Sequence, residues 1–196
     1  MFTRVLLAIA ASLAIVLPTH ATSVLPLYLD EIVDTAAVAF EGTVISNRTA
    51  RDEATGFVVT YTTFKVHEVL KGTAGETYTI KQIGGDLPAE GIRTRAHGVP
   101  RFRTGESVVV FLNGTSEAGF SSPVGLDQGR FVISDDAQGP QVGNGRDFRD
   151  LAQRMSDDTP APARARLDSA GPVKGLALDD FKKMVRDHAA RGGSIR

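Results

Sequence analysis

The chain has 196 residues, a formal net charge of −1 and no cysteine. The balanced charge argues against general nucleic-acid binding, which needs a basic excess. The lack of cysteine excludes thiol nucleophiles, disulfides and cysteine-ligated zinc. We therefore expect one ordinary domain that burial and hydrogen bonding alone stabilise.

Residues 1–21 predict export. Arg4 precedes an apolar run that only Ser12 interrupts, and Thr19 and Ala21 supply small residues before a cleavage site. Such a run is too short for a membrane span and is typical of a secretory signal peptide. We expect a soluble, exported bacterial protein, periplasmic or secreted, without stable membrane insertion.

Alternating apolar residues then predict a β-rich region. A short helix is expected at residues 26–35, where Leu29, Ile32 and Val33 have helical spacing. Glycine at position 42 predicts a bulge or a close backbone approach. Strands are expected at residues 38–44, 57–70, 77–83, 107–112 and 129–133. The fourth of these is apolar on both faces, as in a central, covered strand.

The C-terminal part has a different composition. Residues 156–175 are rich in Pro, Ala and Asp, which predicts a solvated linker. Residues 176–196 predict an amphipathic helix. Its apolar side, including Phe181, is expected to pack on the β domain; the alternative is a helix on a flexible tether that docks onto a partner protein.

Five strands, flanking helices and a long connection before the fourth strand indicate a mainly β fold. We expect a five-stranded antiparallel OB-like barrel over residues 22–155, with a small open β-sandwich as the alternative.

The motifs of this region resemble those of a set of uncharacterised exported bacterial proteins. They are similar in outline to the OB-like barrel of tissue inhibitors of metalloproteinases and netrin modules. The motifs are FEGTV at 40–44, VHEVLKG at 66–72, GG at 84–85, FRTGE at 102–106, VVFL at 109–112 and GLDQGRF at 125–131. Those inhibitors bind the zinc of their target enzyme through an N-terminal cysteine and contain disulfides. Because this chain has neither, their mechanism transfers to no residue here.

The predicted binding site is the connection at residues 84–104, a long segment without regular periodicity. Such loops are often functional. Its candidate ligand-binding residues are Arg93, Arg95, His97, Arg101 and Arg103. Clustered guanidinium groups suit carboxylate, phosphate or sulfate ligands. The alternative is that these arginines pair with Asp86, Glu90 and Glu106 or are merely solvated.

Catalytic and metal-binding motifs are not found in the sequence. His67, His97 and His188 are far apart along the chain and form no metal-binding pattern. No nucleophile-elbow motif occurs, and no cofactor is implied. The first hypothesis is therefore a non-enzymatic binding or interaction protein, for another exported protein or an anionic ligand. The alternatives are a proteinase inhibitor or proteinase-associated protein, and a hydrolase with an unrecognised site.

Overall fold

The computed structural model of the chain describes residues 25–192. The predicted signal peptide lies outside the described residues. The four α-helices of the described part are α1 (Leu29–Thr35), α2 (Phe148–Leu151), α3 (Ala161–Leu167) and α4 (Leu178–Gly192). The strands are β1 (Val38–Arg51), β2 (Val58–Lys71), β3 (Thr77–Ile83), β4 (Gly85–Leu87), β5 (Ile92–Thr94), β6 (Ser107–Leu112), β7 (Arg130–Asp136), β8 (Gly139–Gly143) and β9 (Leu176–Ala177). Single turns of 3-10 helix lie at Pro88–Glu90, Leu126–Gly129 and Ser156–Asp158.

The mainly β, antiparallel architecture is confirmed, but the strands differ from the predicted five-stranded cylinder. Seven strands form one sheet in the order β3-β2-β1-β6-β7-β8-β9, and β4 and β5 form a separate hairpin. The sheet grows beyond five strands because β8 and the two-residue β9 extend it past β7. Within residues 25–192, β3 and β9 are its edges, and no pairing joins them.

The predicted irregularity at Gly42 is confirmed. The register between β1 and β2 shifts between Glu41 and Gly42 and again between Val44 and Ser46. A Cβ at Gly42 would lie 2.7 Å from the carbonyl oxygen of Lys65 on β2. Glycine at this position therefore allows the backbones of β1 and β2 to approach each other at the bulge.

The sheet separates two apolar cores, and β6 contributes to both. Val109 and Phe111 face the larger core, which α1, α4 and the C-terminal segments cover. Val108, Val110 and Leu112 face the smaller core, together with Phe40, Phe64, Ile80 and Phe102. The prediction of a central strand covered on both faces is thus confirmed for β6.

The segment at residues 156–175 differs from the solvated linker that its composition predicts. It contains α3, and its Asp158, Thr159, Ala163 and Val173 are buried. Arg191 and the His188 ring nitrogen Nδ1 both pair with Asp158, the latter at 2.9 Å. Contacts with distant residues therefore hold a stretch whose local sequence shows no apolar periodicity.

The C-terminal helix α4 packs on the sheet, as its apolar side predicts. Phe181 is fully buried, with its ring centroid 4.9 Å from that of Phe131. Lys182 Nζ lies 2.8 Å from the Glu41 carboxylate of β1 and 3.0 Å from that of Glu68 of β2. Burial lowers the pKa of Lys182, but these carboxylates raise it well above its ordinary value. Apolar contacts and partly buried charge pairs therefore both hold α4 in place.

We expect Gly42→Ala to lower the free energy of unfolding by about 1–3 kcal/mol, because the added methyl group would press on the β2 backbone. Urea denaturation measures this change. Gly75→Ala is the matched control, because its new Cβ would meet no atom closer than 3.8 Å. Equal stability of the two variants would contradict the assigned close approach.

We expect Phe181→Ala to lower the free energy of unfolding by about 3–5 kcal/mol, since it leaves a cavity in the larger core. The exposed neighbour Lys183 provides the control, and Lys183→Ala should change stability by less than about 0.5 kcal/mol. A loss below about 1 kcal/mol for Phe181→Ala would show that α4 is not part of the folded core.

Candidate functional site: a polar cavity beneath residues 84–104

Strands β1, β2 and β3 form a ribbon at one end of the sheet. Its inner face, which is the face towards the smaller core, changes from apolar to polar along its length. On β2, Phe64 belongs to the smaller core, and Thr62 and Thr60 continue the same face because side chains alternate along a strand. On β3, Gln82 follows Ile80 in the same way. The polar side chains of this face are Asn47, Thr49, Thr60, Thr62 and Gln82.

The position of β6 explains where this change occurs. Pairing of β1 with β6 ends at Thr43 opposite Ser107, whereas pairing of β1 with β2 continues to Arg51. A bulge of β1 between Val44 and Ser46 has Ile45 as its extra residue and shifts the side-chain alternation. As a result, Asn47 and Thr49 point to the inner side beyond the end of the smaller core.

Residues 84–104 cover this polar end of the ribbon. The sequence predicts an irregular loop here, but the segment contains the β4–β5 hairpin and a 3-10 turn. The Thr60 hydroxyl donates to the carbonyl of Gly84 at 2.8 Å, and the Asn47 amide donates to the carbonyl of Phe102 at 3.0 Å. Gly85 has φ +148°, and a Cβ there would lie 2.5 Å from Thr49. Glycine thus lets the covering segment lie directly on the sheet.

A cavity of about 160 Å³ lies between the ribbon and this covering segment. The Thr62 hydroxyl donates to the Asn47 side-chain oxygen at 2.7 Å, and the Thr49 and Thr60 hydroxyls are 3.2 Å apart. Gln82 is only 5% exposed, and its amide nitrogen Nε2 has no hydrogen-bond partner. A buried donor without a partner costs about 1–3 kcal/mol, so Gln82 is the residue of the cavity wall whose polar group lacks compensation.

Positive charge borders the cavity. Arg95 and Arg101 line it, and together with Arg93 they surround the carboxylate of Asp86. Arg95 donates to both oxygens of Asp86, at 3.1 Å for the Oδ2 contact, while Arg93 and Arg101 each lie 3.6 Å from that carboxylate. The hydrogen bond from Arg95 is the main reason that the pKa of Asp86 is lowered. Three guanidinium groups around one carboxylate leave a net charge of two positive units.

The structure brings together three of the five sequence-predicted binding residues, namely Arg93, Arg95 and Arg101. His97 is exposed and does not line the cavity. The Arg103 side chain is also exposed, while its backbone N–H donates to Glu106 at 2.9 Å. Of the other predicted acidic partners, Glu90 pairs with Arg51 and Glu106 with Arg130.

The polar residues of the ribbon are the functional candidates that sequence reasoning missed. A signal existed for two of them, because Thr60 and Thr62 continue the inward face that Phe64 and Val66 define. Asn47 and Thr49 carried no comparable signal, since the bulge before them changes which residues face inward.

Comparisons of the chain with known protein families, with curated proteins and with solved structures found no match. Within residues 25–192, no group of three or more His, Asp or Glu side chains is placed to hold a metal ion. No helix in that range has the length and apolar character to cross a membrane. The chemistry of the cavity therefore has to be inferred from its own residues.

A buried charge pair fixes the β1–β2 turn next to the site. The Asp52 carboxylate accepts hydrogen bonds from the Thr55 hydroxyl at 2.7 Å and from Lys81 of β3 at 2.9 Å. The Tyr61 hydroxyl donates to it at 3.3 Å. The Thr55 contact first, and then Lys81, lower the pKa of Asp52 from 3.8 to about 2.

We expect this pair to make stability depend on pH. A carboxyl group with a lowered pKa in the folded state stabilises the fold above its unfolded pKa and loses that effect as the pH falls towards its folded pKa. Between about pH 4 and pH 2, the unfolding free energy should therefore fall less steeply in Asp52→Asn than in the wild type. Urea denaturation across this range, with exposed Asp135→Asn as control, measures the difference. Parallel curves for Asp52→Asn and the wild type would contradict the assignment.

Proposed function

We propose that this protein is a non-enzymatic binding protein whose ligand is a small polar molecule with an acidic group. The observation that carries the proposal is the unpartnered amide of Gln82, which is buried in a polar cavity with Arg95 and Arg101 at its border. Buried polar groups normally have partners. A ligand acceptor would supply the missing one.

We infer the acidic group of the ligand from the arginines beside the cavity. Guanidinium groups bind carboxylates and phosphates through paired, charge-assisted hydrogen bonds. Asp86 balances only one of the three positive charges beside the cavity. An anion that reaches Arg101 and the remaining donors of Arg95 would therefore improve the charge balance, while the Gln82 amide and the threonine hydroxyls supply further hydrogen bonds to its acidic group.

Binding is favoured over hydrolysis by the side chains at the cavity. General acid–base catalysis uses a carboxylate, imidazole or similar group within reach of the substrate. The described residues that line the cavity contribute hydroxyls, amides and guanidinium groups, but no carboxylate or imidazole. His97, which a hydrolase hypothesis would place in a cleft beside a carboxylate, is exposed.

We further propose that the mature protein acts outside the cytoplasm of a bacterium and is related to the OB-like barrels. The apolar run at residues 1–21 supports export. The long β1, whose pairing with β2 shifts register at three places and which pairs with β6 on its other side, supports a partly closed OB-like arrangement.

Titration of ¹⁵N-labelled protein with glucuronate, acetate and inorganic phosphate tests the binding proposal by NMR. At least one of these anions should shift the side-chain amide signals of Gln82 and the backbone signals of Thr62 and Arg95. Neutral glucose should shift them less. If none of the three anions moves these signals, the proposal is wrong.

We expect Gln82→Met to weaken binding of the active anion about tenfold, the value of a lost hydrogen bond to a charged group. Folding stability should stay equal or rise, since the substitution removes a buried amide without a partner. Exposed Gln138→Met, at the turn between β7 and β8, is the matched control and should change neither property. Unchanged affinity in Gln82→Met would exclude the amide from the site.

A further inference from the structure

A second, more open recess adjoins the polar cavity. This apolar groove, of about 520 Å³, has Phe57, Ile83, Val99 and Phe120 as its apolar residues. Gln82, Ile83 and Val99 line both the groove and the polar cavity, so the two spaces are neighbours along β3. A molecule that fills the cavity can therefore extend into the groove.

The groove keeps large apolar side chains in contact with water. Phe57 is 54% exposed and Ile83 is 40% exposed, which makes them two of the five exposed large hydrophobic residues in the described part of the chain. Single exposed hydrophobic residues are common, but these two share one recess, so a single ligand could remove both from water.

Several backbone groups around the groove are already paired within the protein. The Ser121 N–H donates to the carbonyl of Lys81 at 3.1 Å, and the Asn113 N–H donates to the carbonyl of Ser122 at 3.0 Å. The Phe120 N–H donates to the Ser116 hydroxyl at 3.0 Å. Apart from Gln82, which the groove shares with the polar cavity, an occupant of the groove therefore meets mainly apolar side chains.

Lys81, the charged residue among the described residues that line the groove, is also balanced. Lys81 pairs with Asp52 at 2.9 Å and lies 4.5 Å from the centre of the Phe120 ring. This contact fixes the ring on one side of the groove without leaving an unbalanced charge there. The excess positive charge lies instead beside the polar cavity, at Arg95 and Arg101.

From this arrangement we propose that the ligand is a single-chain amphiphile with an acidic head group, such as a fatty-acid carboxylate. Its head occupies the polar cavity next to Gln82 and the arginines, and its hydrocarbon tail lies in the groove against Phe57, Ile83 and Phe120. The inference rests on the proposed function and adds the apolar part of the ligand.

A hydrocarbon tail suits the groove better than an extended peptide. A peptide strand added to β3 needs free backbone groups at the sheet edge. At that edge, the Ser121 N–H already donates to the Lys81 carbonyl. A hydrocarbon chain needs no hydrogen bonds and gains affinity from apolar burial alone.

Calorimetric titration of the full protein with butyrate, hexanoate and octanoate tests the inference. Affinity should rise about two- to fourfold with each added methylene group, the upper value corresponding to complete burial. Octanol, which has the same tail without the charge, should bind about tenfold more weakly than octanoate.

Groove and cavity variants separate the two parts of the ligand. Phe57→Ser should remove most of the rise in affinity from butyrate to octanoate and leave the affinity for butyrate unchanged. Val69 is an exposed apolar residue of β2 outside the groove, so Val69→Ser is the matched control. It should change neither the affinity for butyrate nor the rise in affinity with chain length. Gln82→Met should weaken every carboxylate of the series equally. Thermal unfolding verifies that each variant is folded.

Each outcome bears on a different claim. Affinity that is independent of chain length would overturn the amphiphile and leave the proposed binding of small anions intact. Equal affinity for octanol and octanoate would overturn the acidic head group. Tighter binding of N-acetyl-trileucine than of octanoate would overturn the lipid-like tail in favour of a peptide. Failure of all carboxylates to bind, together with glucuronate and phosphate, would overturn the proposed function itself.

Discussion

The pairing between β1 and β6 ends at Thr43, while β1 and β2 continue together to Arg51. Up to that point, the central strands have an apolar core on each face. Beyond it, residues 84–104, which include the β4–β5 hairpin, cover the inner face of the ribbon. The polar cavity lies where this difference in strand length leaves the end of the ribbon outside the smaller core.

Local patterns were sufficient to predict the elements that have strong periodicity. Helix α1, the first half of β1, strands β2, β3 and β6, and helix α4 follow from apolar spacing that the chain repeats over several residues. The strand predicted at residues 38–44 in fact continues to Arg51, because residues 46–51 pair with β2 although they show no apolar alternation. The hairpin strands β4 and β5 have three residues each and β9 has two, which is too few for a period to emerge. The burial of Asp158 likewise depends on α4, about thirty residues further along the chain. The local sequence around Asp158 does not indicate contacts with residues so far along the chain.

The candidate site, too, could be predicted only in part. The arginines were found because they cluster within one short segment, and three of them do gather around Asp86. Gln82 could not be identified in advance, because its importance comes from a missing partner that only the folded chain reveals. Asn47 reaches the cavity only through the bulge that precedes it. A cluster of like charges is therefore visible in a sequence, whereas a buried unsatisfied donor is not.

The two cores draw on different lengths of the chain. Residues between positions 38 and 112 supply the smaller core. In the larger core, Phe181 of α4 lies against the rings of Phe111, Phe131 and Phe148, which come from three earlier segments. The larger core therefore depends on contacts over greater sequence separations, and such contacts form more slowly than local ones.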